Sequence, residues 1–210
     1  MRTPAALLAA AAALLTAASP AALAQTQQQR ALGTQSQTGS PPPTDPATPA
    51  AGLGSTANRG DALAAPAFVR AVATSDLYEM EASRLAEQRA QSAEVKRFAQ
   101  RMLGDHGTTT GELKGMLGQL QGVSAQQMPT RLDQQHEALV QQLQGAQGAE
   151  FDRVFARQQV QSHQAAVELF RAYAQSGDNE QLKRWASQTL PSLEEHLREA
   201  QQLLQRATQG

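Results

Sequence analysis

Residues 65–106 read APAFVRAVATSDLYEMEASRLAEQRAQSAEVKRFAQRMLGDH, and their spacing decides the fold. Phe68, Val72, Ser75, Glu79, Ala82 and Ala86 recur at steps of three and four, with Val69, Ala73, Leu77 and Met80 widening the stripe. That is the period of one helix face. Pro66 belongs in the first helical turn, where its missing N–H costs little. Ser92 is a good N-cap for a second helix whose stripe is Val95, Phe98, Ala99, Met102, His106, Thr109, Leu113 and Met116. Gly118, Gly122 and Pro129 then end the pattern.

Working toward the C-terminus, a short amphipathic piece over 130–143 carries Leu132, Leu139, Val140 and Leu143, and Gly145 and Gly148 reset the chain. A third long helix is expected over 149–175, with Phe151, Phe155, Gln159, His163, Ala166, Phe170 and Tyr173 inward. Gly177 should end it and Asp178 should open a last helix. In that helix Leu182, Trp185, Ala186 and Leu190 lead to Pro191, expected to kink or break it. Leu193, His196, Leu197, Ala200 and Leu203 follow. Two hairpins of long helices, separated by roughly 30 residues that hold a minor helix, predict an all-α, ferritin-like four-helix bundle with a long crossover. A plain up-down bundle is the alternative.

Working toward the N-terminus, Gln25 to Gly60 is poor in large apolar residues and carries Pro41-Pro42-Pro43, Pro46 and Pro49. A segment of that composition cannot bury enough surface to offset its ordering entropy, which predicts a disordered tether over 25–60 and a folded domain over 61–208. Before it, Arg2, the small apolar run Ala5 to Ala18 and Ala22-Leu23-Ala24 have the layout of a secretory signal peptide over 1–24, with Gln25 the mature N-terminus. The competing reading is a retained membrane anchor. Its core is short for the roughly 20 residues a span needs and is interrupted by Pro20. No later stretch is apolar enough to span. The chain has no cysteine, so disulfides, thiolate metal sites and lipoprotein acylation are excluded. The expected location is the periplasm or the exterior.

A formal net charge of −1 offers no electrostatic footprint for nucleic acid. A partner in the envelope or a second copy of the chain is the kind of contact left open. The sequence has no Gly-rich phosphate loop and no serine motif resembling a hydrolase elbow. A binding or structural, stress-related role is therefore expected ahead of an enzymatic one.

The runs Leu77-Tyr78-Glu79-Met80-Glu81-Ala82-Ser83-Arg84-Leu85-Ala86 and Val95 to His106 resemble the family catalogued as domain of unknown function 4142, a group of exported bacterial proteins. Glu150-Phe151-Asp152, Ser162-His163, and Thr189-Leu190-Pro191 with His196 agree with it, so the resemblance covers about residues 62–205. It implies a ferritin-like fold and an exported protein, and no established activity. In the family an acidic residue often precedes the third-helix histidine, whereas here its neighbours are Ser162 and Gln164.

The anomaly is polar. His106, His163 and His196 fall on apolar stripes of three helices, and Glu79 on that of the first. Buried polar groups need partners, because leaving them unsatisfied costs several kcal/mol. From the first hairpin turn, Glu79 and His106 lie about 18 and 22 Å along their helices; from the second, His163 and His196 lie about 21 and 28 Å. In a bundle about 38 Å long all four fall near the middle. One glutamate and three histidines converging there suit a single transition metal such as zinc, copper or iron. A metal-free hydrogen-bond network that fixes helix register explains the same residues. Di-iron chemistry would need Glu-x-x-His, but Leu103 and Leu193 occupy those positions, while Asp105 and Glu195 point about 100° away. Met102, one turn before His106, offers copper a soft ligand or is core filler, as is Met80. Asp105 can orient a histidine from behind. Glu81 and Asp105 should lie at surfaces or helix ends, and His136 in solvent. Tyr78, Tyr173 and Trp185 read as packing residues whose polar edges find partners.

Overall fold

Pro66 stands in the opening turn of the first helix, α1 (Ala65–Arg89), as its fixed φ favours. Ala90 leaves the helical conformation, and Ser92 accepts from the backbone N–H groups of Glu94 and Val95 to start α2 (Ala93–Met116). Two 3₁₀ turns, Leu117–Gln119 and Ala125–Gln127, lead to α3 (Gln134–Gly145), capped by Asp133. The long helices α4 (Gly148–Ser176) and α5 (Glu180–Gln209) complete the chain. This computed structural model describes residues 63–209; the expected leader over 1–24 and tether over 25–60 lie outside them. No strand occurs among the described residues. None of their helices is long and apolar enough to cross a membrane.

Contacts fix the topology. α1 packs on α2 and α4 on α5 as two antiparallel hairpins. The Asp152 carboxylate, at the start of α4, accepts from the N–H groups of Gln91 and Ser92 in the first hairpin turn, at 3.1 and 2.8 Å. At the opposite end, Asp178 in the second hairpin turn accepts from the Ala65 N–H at 2.8 Å. Hence α2 and α4 run parallel, and the segment between them returns the chain along the bundle. That is the long crossover expected from the sequence. Arg89 fastens it by donating to the carbonyls of Leu143, Gln144 and Ala146 at the end of α3.

Four local expectations are corrected. Asp178 does not open α5; Asn179 does, accepting from the N–H groups of Gln181 and Leu182 at 3.0 Å. Asp178 is drawn away because its carboxylate serves Ala65 and the Tyr173 hydroxyl. Pro191 does not break α5. It and Ser187, whose carbonyl loses its N–H partner to the proline, both lie on the exposed face, where water can replace the lost bond. His136 is not solvated: its side chain is 16 % exposed, its ring lies 5.3 Å from that of Tyr78, and its Nδ1 sits 2.7 Å from Asp133. On α1 the buried position is Asp76, with Ser75 only half-buried.

The core has two apolar parts. One gathers Phe68, Val72, Leu113, Phe170, Tyr173, Leu182 and Trp185. The other gathers Tyr78, Phe98, Met102, Leu143, Phe151, Phe155 and Leu203. The polar edges of the three large aromatics are satisfied as expected, Tyr78 on Gln158, Tyr173 on Asp178 and Trp185 on Glu112. Along each long helix, polar and buried residues lie between the two clusters: Asp76 and Glu79, His106, Gln159 with Ser162 and His163, and His196.

Gly177 ends α4 without a positive φ, and its role is steric. A Cβ there would come within 2.5 Å of the Tyr173 ring, which is stacked on Phe68 with centroids 3.8 Å apart. Gly177→Ala is therefore expected to destabilise by about 1–3 kcal/mol through overpacking. A thermal melt reads this directly, and an unchanged melting temperature would mean that the ring moves aside without cost.

Candidate metal centre

His106, His163 and His196 meet in the polar layer, each from a different helix. Their ring centroids lie 5.3 to 5.9 Å apart. One ring nitrogen from each falls within 4.8 Å of one from the other two. All three rings are buried.

Each ring is held by one nitrogen only. His106 Nδ1 lies 2.8 Å from Asp76 Oδ1, and Asp76 Oδ2 accepts from the Thr110 hydroxyl at 2.8 Å. His163 Nδ1 lies 3.0 Å from the Gln159 carbonyl one turn earlier. His196 Nε2 lies 2.9 Å from Asp105 Oδ2. A carbonyl or carboxylate oxygen accepts, so in the neutral form of each ring this nitrogen carries the proton and the opposite one keeps its lone pair. Those opposite nitrogens, His106 Nε2, His163 Nε2 and His196 Nδ1, are buried and have no hydrogen-bond partner among the described residues.

Glu79 lies beside the cluster. Its Oε2 accepts from Gln159 Nε2 at 2.7 Å and its Oε1 from the Ser162 hydroxyl at 2.5 Å. Oε1 is also 4.0 Å from His163 Nδ1, so Glu79 faces the tethered side of that ring. Asp105 backs His196, as an orienting acceptor would. Met102 is enclosed in the apolar cluster around Phe98 and Phe155. Glu81 is half-buried in the middle of α1, away from any helix end, and makes no hydrogen bond to the histidines among the described residues.

The charges are unbalanced. Asp76 and Glu79 are 3 % and 0 % exposed, and their ion-pair partners among the described residues are His106 and His163. Burial pulls the His106 pKa down, but the hydrogen bond it donates to Asp76 and the fields of Glu79, Asp76 and Asp105 outweigh it and leave it raised. Burial, with the neighbouring His106 and His196, takes His163 down to about 4 despite Glu79. Burial and His106 lower His196 as well. Two of the three imidazoles are thus neutral near pH 7 and cannot offset the carboxyl groups.

Two clefts reach the cluster. One, of about 580 Å³ between α2 and α5, is lined by Asp105, His106, Glu112, Trp185, Glu195 and His196 among others. A second, of about 530 Å³, has apolar walls from α1 and α4, including Ala71, Ala166 and Phe170, and reaches Asp76 and His106.

Reading the sequence missed Asp76, Thr110, Gln159 and Ser162 as partners. Asp76 was detectable: it is four residues after Val72 and three before Glu79, on the same face. Phasing the stripe through Ser75 hid it.

The family model described as "Domain of unknown function (DUF4142)" matches residues 50–203. No match was found among the curated proteins. Two solved structures share the fold. CopM in its Cu(II)-bound form superposes with a TM-score of 0.57 at 21 % identity, over 68 % of this chain and 97 % of that one. A DUF305 protein of Streptomyces coelicolor described as secreted also gives 0.57 and 21 %, over 70 % of this chain and 96 % of that one.

Proposed function

The chain belongs to the DUF4142 family, and we propose that its domain is an exported metal-binding module that holds one divalent transition-metal ion, copper(II) foremost, on His106, His163 and His196. The observation that carries this reading is the set of three buried imidazole nitrogens left without partners, each on a ring whose other nitrogen is tethered. A buried polar atom without a partner costs about 1–3 kcal/mol, and three of them on rings whose centroids lie 5.3 to 5.9 Å apart favour a ligand that takes all three lone pairs. An acceptor on the far nitrogen is the usual support of a metal-bound histidine.

Size and charge agree. Nitrogens no more than 4.8 Å apart surround a point at most about 2.8 Å from each, while a metal–imidazole bond is about 2.0–2.1 Å long. Closing the site needs a shift below about 1 Å. A dication also offsets the buried carboxyl groups of Asp76 and Glu79. Imidazole donors without thiolate suit copper(II) or zinc, and copper(II) binds nitrogen sites more tightly in the divalent series. The Cu(II)-bound form of CopM, a structure with the same fold, adds weight to copper. In this reading the histidines hold the ion and Asp76, Asp105 and Glu79 fix their orientation; a bound ion would supply Lewis acidity or one-electron redox capacity. Glu79 as a direct ligand would require it to exchange Ser162 and Gln159 for the ion.

The test is elemental analysis of the untagged protein released from its native envelope by osmotic shock, with the first residue read by mass spectrometry. Gln25 at the N-terminus and about one copper per chain are expected. Protein that keeps Met1, or carries no metal and takes up none, would overturn the export or the binding half respectively. In the second case the polar layer is a structural network.

Asp76 is the support with the largest expected effect. Asp76→Ala should weaken metal binding by about 10–100-fold, the usual cost of losing the group behind a ligating histidine. Calorimetric titration with copper(II) measures it, and an unchanged affinity would remove Asp76 from the site.

A further inference from the structure

Cleft geometry and the Asp105 side chain together point to a route of entry. We propose that the cleft between α2 and α5 is the path by which the metal ion reaches the three histidines, and that Asp105 is the carboxylate that receives it. This rests on the metal-binding reading and extends it from where the ion sits to how it arrives.

Asp105 occupies an unusual position. Its Oδ2 lies 2.9 Å from His196 Nε2 although 49 % of the side chain is exposed, so one residue touches both solvent and a buried candidate ligand. Its Oδ1 makes no hydrogen bond among the described residues. The cleft it borders also carries Glu112 and Glu195, and ends on His106 and His196. Both of those rings are at least nine-tenths buried and keep a nitrogen without a partner. Arg101, the basic residue on this wall, is taken up by Glu199 at 2.6 Å and Glu195 at 3.9 Å. A hydrated cation is therefore drawn into an acidic mouth whose floor is the His106 and His196 rings, with their unpartnered nitrogens buried behind it. Asp105 Oδ1 replaces one water of the ion, and the histidine nitrogens replace further waters as the ion moves inward. The second cleft suits a hydrated cation less well, because alanine, valine, leucine and phenylalanine form much of its wall and Arg70 borders it against the carboxylates of Asp76 and Asp133.

Asparagine at 105 separates capture from anchoring. It removes the charge but keeps a carbonyl oxygen that can accept from His196 Nε2–H. Trp185, the chain's one tryptophan, lines the same cleft, so stopped-flow quenching of its fluorescence by copper(II) follows arrival. In the full mature chain, Asp105→Asn should slow association by about tenfold or more and flatten its dependence on salt, in the range that electrostatic steering supplies. The dissociation rate should change by less than about threefold. Asp105→Ala should slow association equally and also speed dissociation. Ala71→Phe, which fills the second cleft, should leave association unchanged.

Association unaltered in Asp105→Asn, with faster dissociation only, would make Asp105 a positioning residue and nothing more. Slowing by Ala71→Phe but not by Asp105→Asn would move the route to the second cleft. A wild-type chain that takes up no copper at equilibrium would sink the binding reading itself, whereas normal equilibrium binding with unchanged kinetics would sink only this proposal.

Discussion

Titrated with copper(II) near neutral pH, the wild-type chain should bind one ion, and His163→Ala should bind it at least about 100-fold more weakly. Each imidazole contributes one of three donors, and with two left the ion loses both a bond and the trigonal arrangement that fixes it. His163 is the most informative of the three, because burial holds its pKa near 4. Its lone pair is available at neutral pH without displacing a proton. Stability separates the competing reading. Ligand at about 100 times Kd stabilises the native state by about 2.7 kcal/mol, which raises the melting temperature of a domain this size by about 5–10 °C. That rise should vanish in His163→Ala. Without metal the same substitution removes a buried nitrogen that has no partner, so the lost packing is partly offset. If wild type shows no metal-dependent rise and His163→Ala simply unfolds more easily, the histidines are a structural network.

The second large effect is loss of stability in acid by the metal-free protein. His163 titrates at about 4 in the folded state against 6.5 unfolded. Between these values the unfolded chain binds a proton that the native state refuses. Stability therefore falls as pH drops from 6.5 toward 4, by about 3 kcal/mol at 1.36 kcal/mol per unit. His196, also lowered, acts in the same direction. His106, raised, opposes them: its contribution is present below its unfolded value and is lost as pH rises through its folded one. Urea denaturation of chelator-treated protein at about pH 7 and about pH 4.5 measures the sum. His163→Gln, which has no titrating ring, should flatten the profile. A profile of the same steepness in wild type and His163→Gln would mean that His163 does not resist protonation in the folded state.

Both effects originate in residues that the periodicity exposed. Phe68, Val72 and Glu79 mark one face of α1, and His106, His163 and His196 interrupt apolar stripes on three other helices. A helix face follows from spacing alone, because 3.6 residues complete a turn wherever the helix lies. Ser92 as a cap, Pro66 in a first turn and the long crossover were legible for the same reason: each depends on residues close in sequence or on the length between helices. The motifs around Tyr78–Glu79 and Asp105–His106 pointed to the family that the chain belongs to.

Partners across helices were not legible. Asp76 meets His106 thirty residues away, Asp105 meets His196 from another helix, and Asp178, in the turn between α4 and α5, accepts from the first N–H of α1. Such contacts depend on how far each helix is rotated and slid against the next, and a stripe fixes neither to better than about one residue, or 100° of rotation. That tolerance exchanged Ser75 for Asp76. The sequence by itself determined an all-helical chain with polar residues at one level of its core. Only the tertiary structure decided which nitrogen of each histidine is tethered and which is left free, because that choice is made by acceptors on neighbouring turns and helices within about 3 Å.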